Sequence, residues 1–110
     1  MTHVPVLAQE SIDALCVTAH PDAIFVDATF GRGGHTRLIL ERLSPRGRLF
    51  AFDRDMAAIE EGRSIRDGRL ELIHARFGGL KEELARRGVQ EVAGVLIDLG
   101  VSSPQLDDPQ

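Results

Sequence analysis

Four short apolar runs, Ala23 to Ala28, Arg48 to Asp53, Leu70 to His74 and Ala93 to Leu99, are separated by stretches with helical periodicity, and this alternation constrains the fold more than any other feature. It is the pattern of parallel βαβ units, because two parallel strands need a crossover long enough to hold a helix. The runs are nearly continuous in apolar residues, as in Ile24-Phe25-Val26 and Gly94-Val95-Leu96-Ile97. Helices must therefore cover both faces of the sheet. The predicted fold class is α/β, a doubly wound, mostly parallel sheet with about four strands. With 110 residues, 43% of them hydrophobic, there is material for one core and one domain.

Candidate helices fill the intervals, roughly Leu7 to Val17, Gly34 to Leu43, Asp55 to Arg63 and Leu80 to Arg87. Leu38, Ile39 and Leu43 share one face of the second, and Ser44-Pro45-Arg46-Gly47 supplies a stop and a turn after it. Asp55 is placed to cap the third helix, and Gly88 to end the fourth. After Leu99 the chain is polar and contains proline, with no pattern for a further strand. A parallel sheet ending there looks interrupted, so the chain is expected to be the amino-terminal part of a longer protein, with a free-standing small domain as the alternative.

One cysteine, Cys16, excludes an intramolecular disulfide and points to an intracellular protein; among Ile12, Leu15 and Val17 it reads as a core thiol. No apolar stretch is long enough to span a membrane and no signal-peptide layout is present, so a cytoplasmic location is expected. The formal net charge of −4 argues against nucleic-acid binding by bulk attraction. Twelve of the 13 basic residues are arginine, a bias that suits phosphate recognition but fits genomic composition better. His3 and His74 lie in no pattern of metal ligands.

The chemistry concentrates in three places. The first is Asp27-Ala28-Thr29-Phe30-Gly31-Arg32-Gly33-Gly34-His35, between the first strand and its helix. Glycines at 31, 33 and 34 let backbone approach a ligand closely, and the helix start offers N–H groups to a carboxylate or phosphate. The third glycine of a dinucleotide fingerprint would fall on Thr36, and no Lys-Ser or Lys-Thr follows as in a phosphate loop. Asp27 would repel a pyrophosphate but attract, directly or through water, a ligand carrying ammonium and sulfonium groups. S-adenosylmethionine carries both.

The second is Asp53, at the tip of the second strand and 22 positions after Gly31, suited to accept the hydroxyl protons of a ribose. The third is Asp98-Leu99-Gly100-Val101-Ser102-Ser103-Pro104-Gln105, where Asp98 is the candidate to accept a hydrogen bond from a reacting amine. Residues alone leave two other classes open. One is an NAD-linked oxidoreductase, which shares the acidic strand tip; the other is a non-catalytic nucleotide-binding module.

Together with His3-Val4-Pro5-Val6-Leu7 and Phe52-Asp53-Arg54-Asp55, the glycine loop and the segment Leu96 to Asp108 resemble the ribosomal RNA small-subunit methyltransferase H family over essentially the whole chain. The resemblance implies a Rossmann-like methyltransferase sheet. It also implies methyl transfer from S-adenosylmethionine to the exocyclic N4 of a cytidine in 16S ribosomal RNA, within the small ribosomal subunit. Matched by position, the cofactor contacts would be Gly33, Gly34, His35, Asp53, Phe77, Asp98 and Gln105, with Phe77 against the adenine and Asp98 as the catalytic candidate. No metal is implied. Family members are nearly three times longer, so residues 1–110 would be the amino-terminal part of the cofactor-binding domain, without the substrate-recognition insertion and the carboxyl-terminal strands. The Asp/Asn-Pro-Pro-Tyr tetrad of many amino methyltransferases is replaced by Ser102-Ser103-Pro104-Gln105.

Overall fold

The computed structural model describes residues 17–28, 30, 33–97 and 100–102. The first predicted helix, apart from Val17, lies outside them. Strands β1 (Ile24–Asp27), β2 (Arg48–Asp53), β3 (Leu70–His74) and β4 (Gly94–Ile97) fall within the four apolar runs. Helices α1 (Gly34–Arg42), α2 (Met56–Gly62) and α3 (Leu80–Arg86) fill the crossovers, and a 3₁₀ turn, Phe77–Gly79, leads into α3. The strand order is β3-β2-β1-β4, all parallel.

Side chains on successive strand residues divide between two cores. Phe25, Leu49 and Leu96 pack with Leu38, Ile39, Leu40 and Leu43 of α1 and the turn after it. Val26, Phe50, Phe52, Ile73 and Val95 pack on the other face with Leu80 and Leu84 of α3. This division is the physical meaning of the continuous apolar runs: these strand residues have a helix to bury against on whichever face they point to.

Local signals explain the helix limits. Asp55 Oδ1 accepts a hydrogen bond from Ala57 N at 2.9 Å, capping α2 as expected. Gly88 follows α3 with φ of 77°, the left-handed conformation that ends a helix. The expectation that no strand follows Leu99 is corrected: Gly100–Ser102 form β5, antiparallel to β4, with Ile97 opposite Gly100 and Val95 opposite Ser102. Only two residues separate the pair, so closing this hairpin costs little chain entropy and needs no strong apolar pattern.

Candidate functional site

Parallel strands bring all their carboxyl ends to one edge. The chain runs outward from β1 through β2 to β3, then crosses back to place β4 on the other side of β1. The switch point between β1 and β4 opens at Asp27, and crevices of open α/β sheets form there because successive crossovers leave in opposite directions.

The loop leaving β1 is tied to both neighbouring strands. Ala28 N donates to the carbonyl of Leu96 in β4 at 2.7 Å, and Phe30 N donates to the carbonyl of Phe52 in β2 at 2.8 Å. The Phe30 ring is buried against α2, where a Cβ on Gly62 would come within 2.7 Å of it. Gly33 N then donates to the carbonyl of Phe30 at 2.8 Å, and Gly33 takes φ of 86°, a turn that a side chain would strain. As N-cap of α1 it supplies no side-chain acceptor, so the first turn of that helix is not closed off by its own cap. A Cβ built on Gly34 would meet no described atom within 4 Å. His35 is half-buried beside it.

Asp27 behaves differently from a carboxylate facing a ligand. It is fully buried, and Thr36 Oγ1 donates to its Oδ2 at 2.7 Å. The proposed direct attraction of a cationic ligand by Asp27 is therefore revised. Its carboxylate fastens the first turn of α1 to the end of β1, and Thr36, which sequence reasoning noted only as a missing glycine, is the residue that does so. The available signal was a hydroxyl in the first turn of a helix that follows a strand ending in aspartate.

Asp53 lies one strand away, half-buried, with Oδ1 accepting from Asp55 N at 2.9 Å. Since Asp55 itself caps α2, the Asp53 carboxylate shapes the turn between β2 and α2 and stays at the strand tip. The neighbouring strand end carries His74, whose Nε2 lies 2.9 Å from the carbonyl oxygen of Arg54, a structural contact within the same turn region. Phe77 opens the 3₁₀ turn just beyond β3, at the same edge. Asp98 and Gln105 lie outside the described residues. Gly33, Gly34, His35 and Asp53 are thus brought together at one sheet edge, and the backbone of Phe77 joins them. Among the described residues no cluster of three or more His, Cys, Asp or Glu could hold a metal ion, and no helix is long and apolar enough to cross a membrane.

Comparison with known proteins adds to this geometry. The model of the MraW methylase family matches residues 1–110. The chain is similar to ribosomal RNA small subunit methyltransferase H of Azoarcus sp. (strain BH72), with 58% identity over 108 residues, covering 98% of this chain and 34% of the relative. The protein of the same name from Burkholderia vietnamiensis is 53% identical over 109 residues, covering 99% of this chain and 34% of the relative. The chain thus spans about a third of the length of these curated relatives. Among solved structures, an rRNA methylase from Streptococcus thermophilus superposes with a TM-score of 0.64 at 21% identity, covering 87% of this chain and 52% of that one. At that identity the likeness bears on the fold.

Proposed function

The chain belongs to the MraW methylase family, and from that premise we propose that it forms the cofactor-holding part of an enzyme that methylates the exocyclic N4 of a cytidine in 16S ribosomal RNA. The observation that carries this reading is the meeting, at one edge of the sheet, of the glycine-led start of α1 with the carboxylate of Asp53 one strand away. The residues fit S-adenosylmethionine. No described atom lies within 4 Å of a Cβ built on Gly34, the helix start offers N–H groups to a carboxylate, and Asp53 offers acceptors to ribose hydroxyls.

When bound, the cofactor supplies a methyl group activated by its sulfonium centre. Gly33, Gly34 and His35 would hold its amino-acid end, Asp53 its ribose and Phe77 its adenine. Asp98 and Gln105, which follow β4 across the switch point, would stand beside the methyl group. Asp98 is the catalytic candidate: its carboxylate would accept a hydrogen bond from the cytidine amine and align it for transfer. Asp27 and Thr36 are positioning residues, because they fix the helix start that meets the cofactor.

The test uses the full natural protein with S-adenosylmethionine carrying a labelled methyl group and small ribosomal subunits that lack the modification. Label at N4 of a single 16S cytidine is expected. Label on a different base, or stabilisation of the protein by NAD but not by S-adenosylmethionine, would overturn the reading.

A further inference from the structure

At the opposite edge of the sheet, where β2 and β3 begin, a cleft of about 880 Å³ lies between the turn after α1 and the loop before β3. Its lining carries four arginines, Arg46, Arg48, Arg66 and Arg69, and one carboxylate, Asp67. Asp67 is already matched. Arg69 forks onto it, with Nε to Oδ1 at 2.9 Å and Nη2 to Oδ2 at 2.6 Å. That partnership holds the Asp67 carboxyl down at about 2, well below its ordinary value. The other three guanidinium groups belong to exposed residues, so the cleft is strongly positive in a chain whose formal net charge is −4.

The cleft is built rather than accidental. Arg69 Nη1 donates to the carbonyl of Leu43 at 2.8 Å, joining the loop at 66–69 to the turn at 43–47. The turn is itself held by Ser44, whose hydroxyl bonds Asp22 and accepts from Arg46 N at 3.0 Å. The Arg48 guanidinium stacks over the Phe50 ring, 4.8 Å from its centre, which limits the orientations it can take. Arg46 and Arg66 line the cleft with Arg48, so three planar guanidinium donors, one of them oriented by an aromatic ring, face one groove with the charge that suits phosphates.

We infer that this cleft is a docking surface for the phosphate backbone of RNA, at the edge of the sheet remote from the cofactor crevice. The two edges are separated by the length of β2, about 16 Å at 3.3 Å per residue. Phosphates in the cleft therefore belong to nucleotides several positions removed from the base at the crevice, or to a neighbouring helix of the same RNA. The choice of RNA as the polyanion rests on the reading of the chain as part of an rRNA methyltransferase; the anion-binding chemistry does not.

The experiment compares the full natural protein with its Arg46→Gln/Arg48→Gln/Arg66→Gln variant, leaving Arg69 as the structural link. A control carries Lys81→Gln/Arg86→Gln on α3. Fluorescence anisotropy with a labelled 16S rRNA transcript is read across a salt series, S-adenosylmethionine affinity is read by calorimetry, and methyl transfer is followed separately. The triple variant should bind RNA about tenfold more weakly, with the log–log salt slope flatter by about 2, as losing three phosphate contacts predicts at roughly 0.7 per contact for single strands. It should also show a raised KM for subunits with kcat and cofactor affinity unchanged, while the control binds RNA like the natural protein. An unchanged slope and affinity, an equal loss in the control, or binding of anionic phospholipid vesicles but not of RNA by the natural protein would overturn the inference. RNA binding through the cleft without methyl transfer would sustain it while removing the proposed function.

Discussion

The two edges of this one sheet present different side chains and are built by different means. At the carboxyl edge, acidic residues close β1 and β2, and one of them, Asp27, is buried against Thr36 while the other, Asp53, stays half-buried at its strand tip. At the amino edge, arginines open β2 and precede β3, and their single carboxylate is consumed by Arg69. The contrast teaches that a chain of net negative charge can still gather arginines on one local surface, because the sheet keeps its acidic strand tips and its basic cleft at opposite ends. Net charge averages over both edges, so it argues only against bulk attraction of nucleic acid and leaves room for a local basic surface.

Three substitutions or conditions break the contrast at different points. The largest expected effect is on cofactor binding: Asp53→Ala should weaken S-adenosylmethionine by about 30- to 100-fold, or roughly 2–3 kcal/mol, since hydrogen bonds to a charged acceptor contribute about 1.5–3 kcal/mol each. Calorimetry on the full natural protein measures this, and RNA affinity through the arginine cleft should not move. Thr36→Val keeps the shape of the side chain but removes a hydrogen bond from a buried carboxylate, and should lower stability by about 2 kcal/mol. A urea midpoint that falls with an unchanged slope would show it; an unaltered midpoint would mean Asp27 does not need Thr36.

The smallest effect is at the amino edge and depends on pH. The carboxyl of Asp67 is lowered from 3.8 to about 2 by its hydrogen bonds to Arg69. A depressed folded value means that its contribution is complete above the unfolded value and fades as pH falls from about 4 through about 2. For a pair partly open to water this is worth about 1 kcal/mol or less. Comparing the Asp67→Asn variant with the natural protein in denaturant at pH 7 and pH 2.5 should give a difference at the higher pH that shrinks at the lower.

Much of the sheet was legible in advance because strand and helix identity here follow local patterns. The β2 and β3 runs, Arg48 to Asp53 and Leu70 to His74, coincide with the observed strands. Asp55 caps α2 because a carboxylate there reaches an N–H only two residues on. The glycine loop was recognisable because Gly33 adopts a positive φ that few other residues tolerate. β5 was not, since three residues with one valine carry no pattern and pair only because β4 is already in place beside them. The arginine cleft was invisible for a related reason: its walls come from 43–48 and 66–69, and nothing in either segment announces the other.

By itself, then, the sequence determined the course of β1 to β4 and α1 to α3, and that Asp53 and the glycine loop follow strand ends, because backbone preference and hydrophobic period act over a few residues. Only the tertiary structure decided that β4 returns beside β1, that Asp27 faces Thr36 inside the protein rather than a ligand outside it, and that Arg69 draws two distant loops into one basic cleft. Those outcomes depend on strand pairing and packing between residues far apart in the chain, where the free energy lies in contacts that no local pattern encodes.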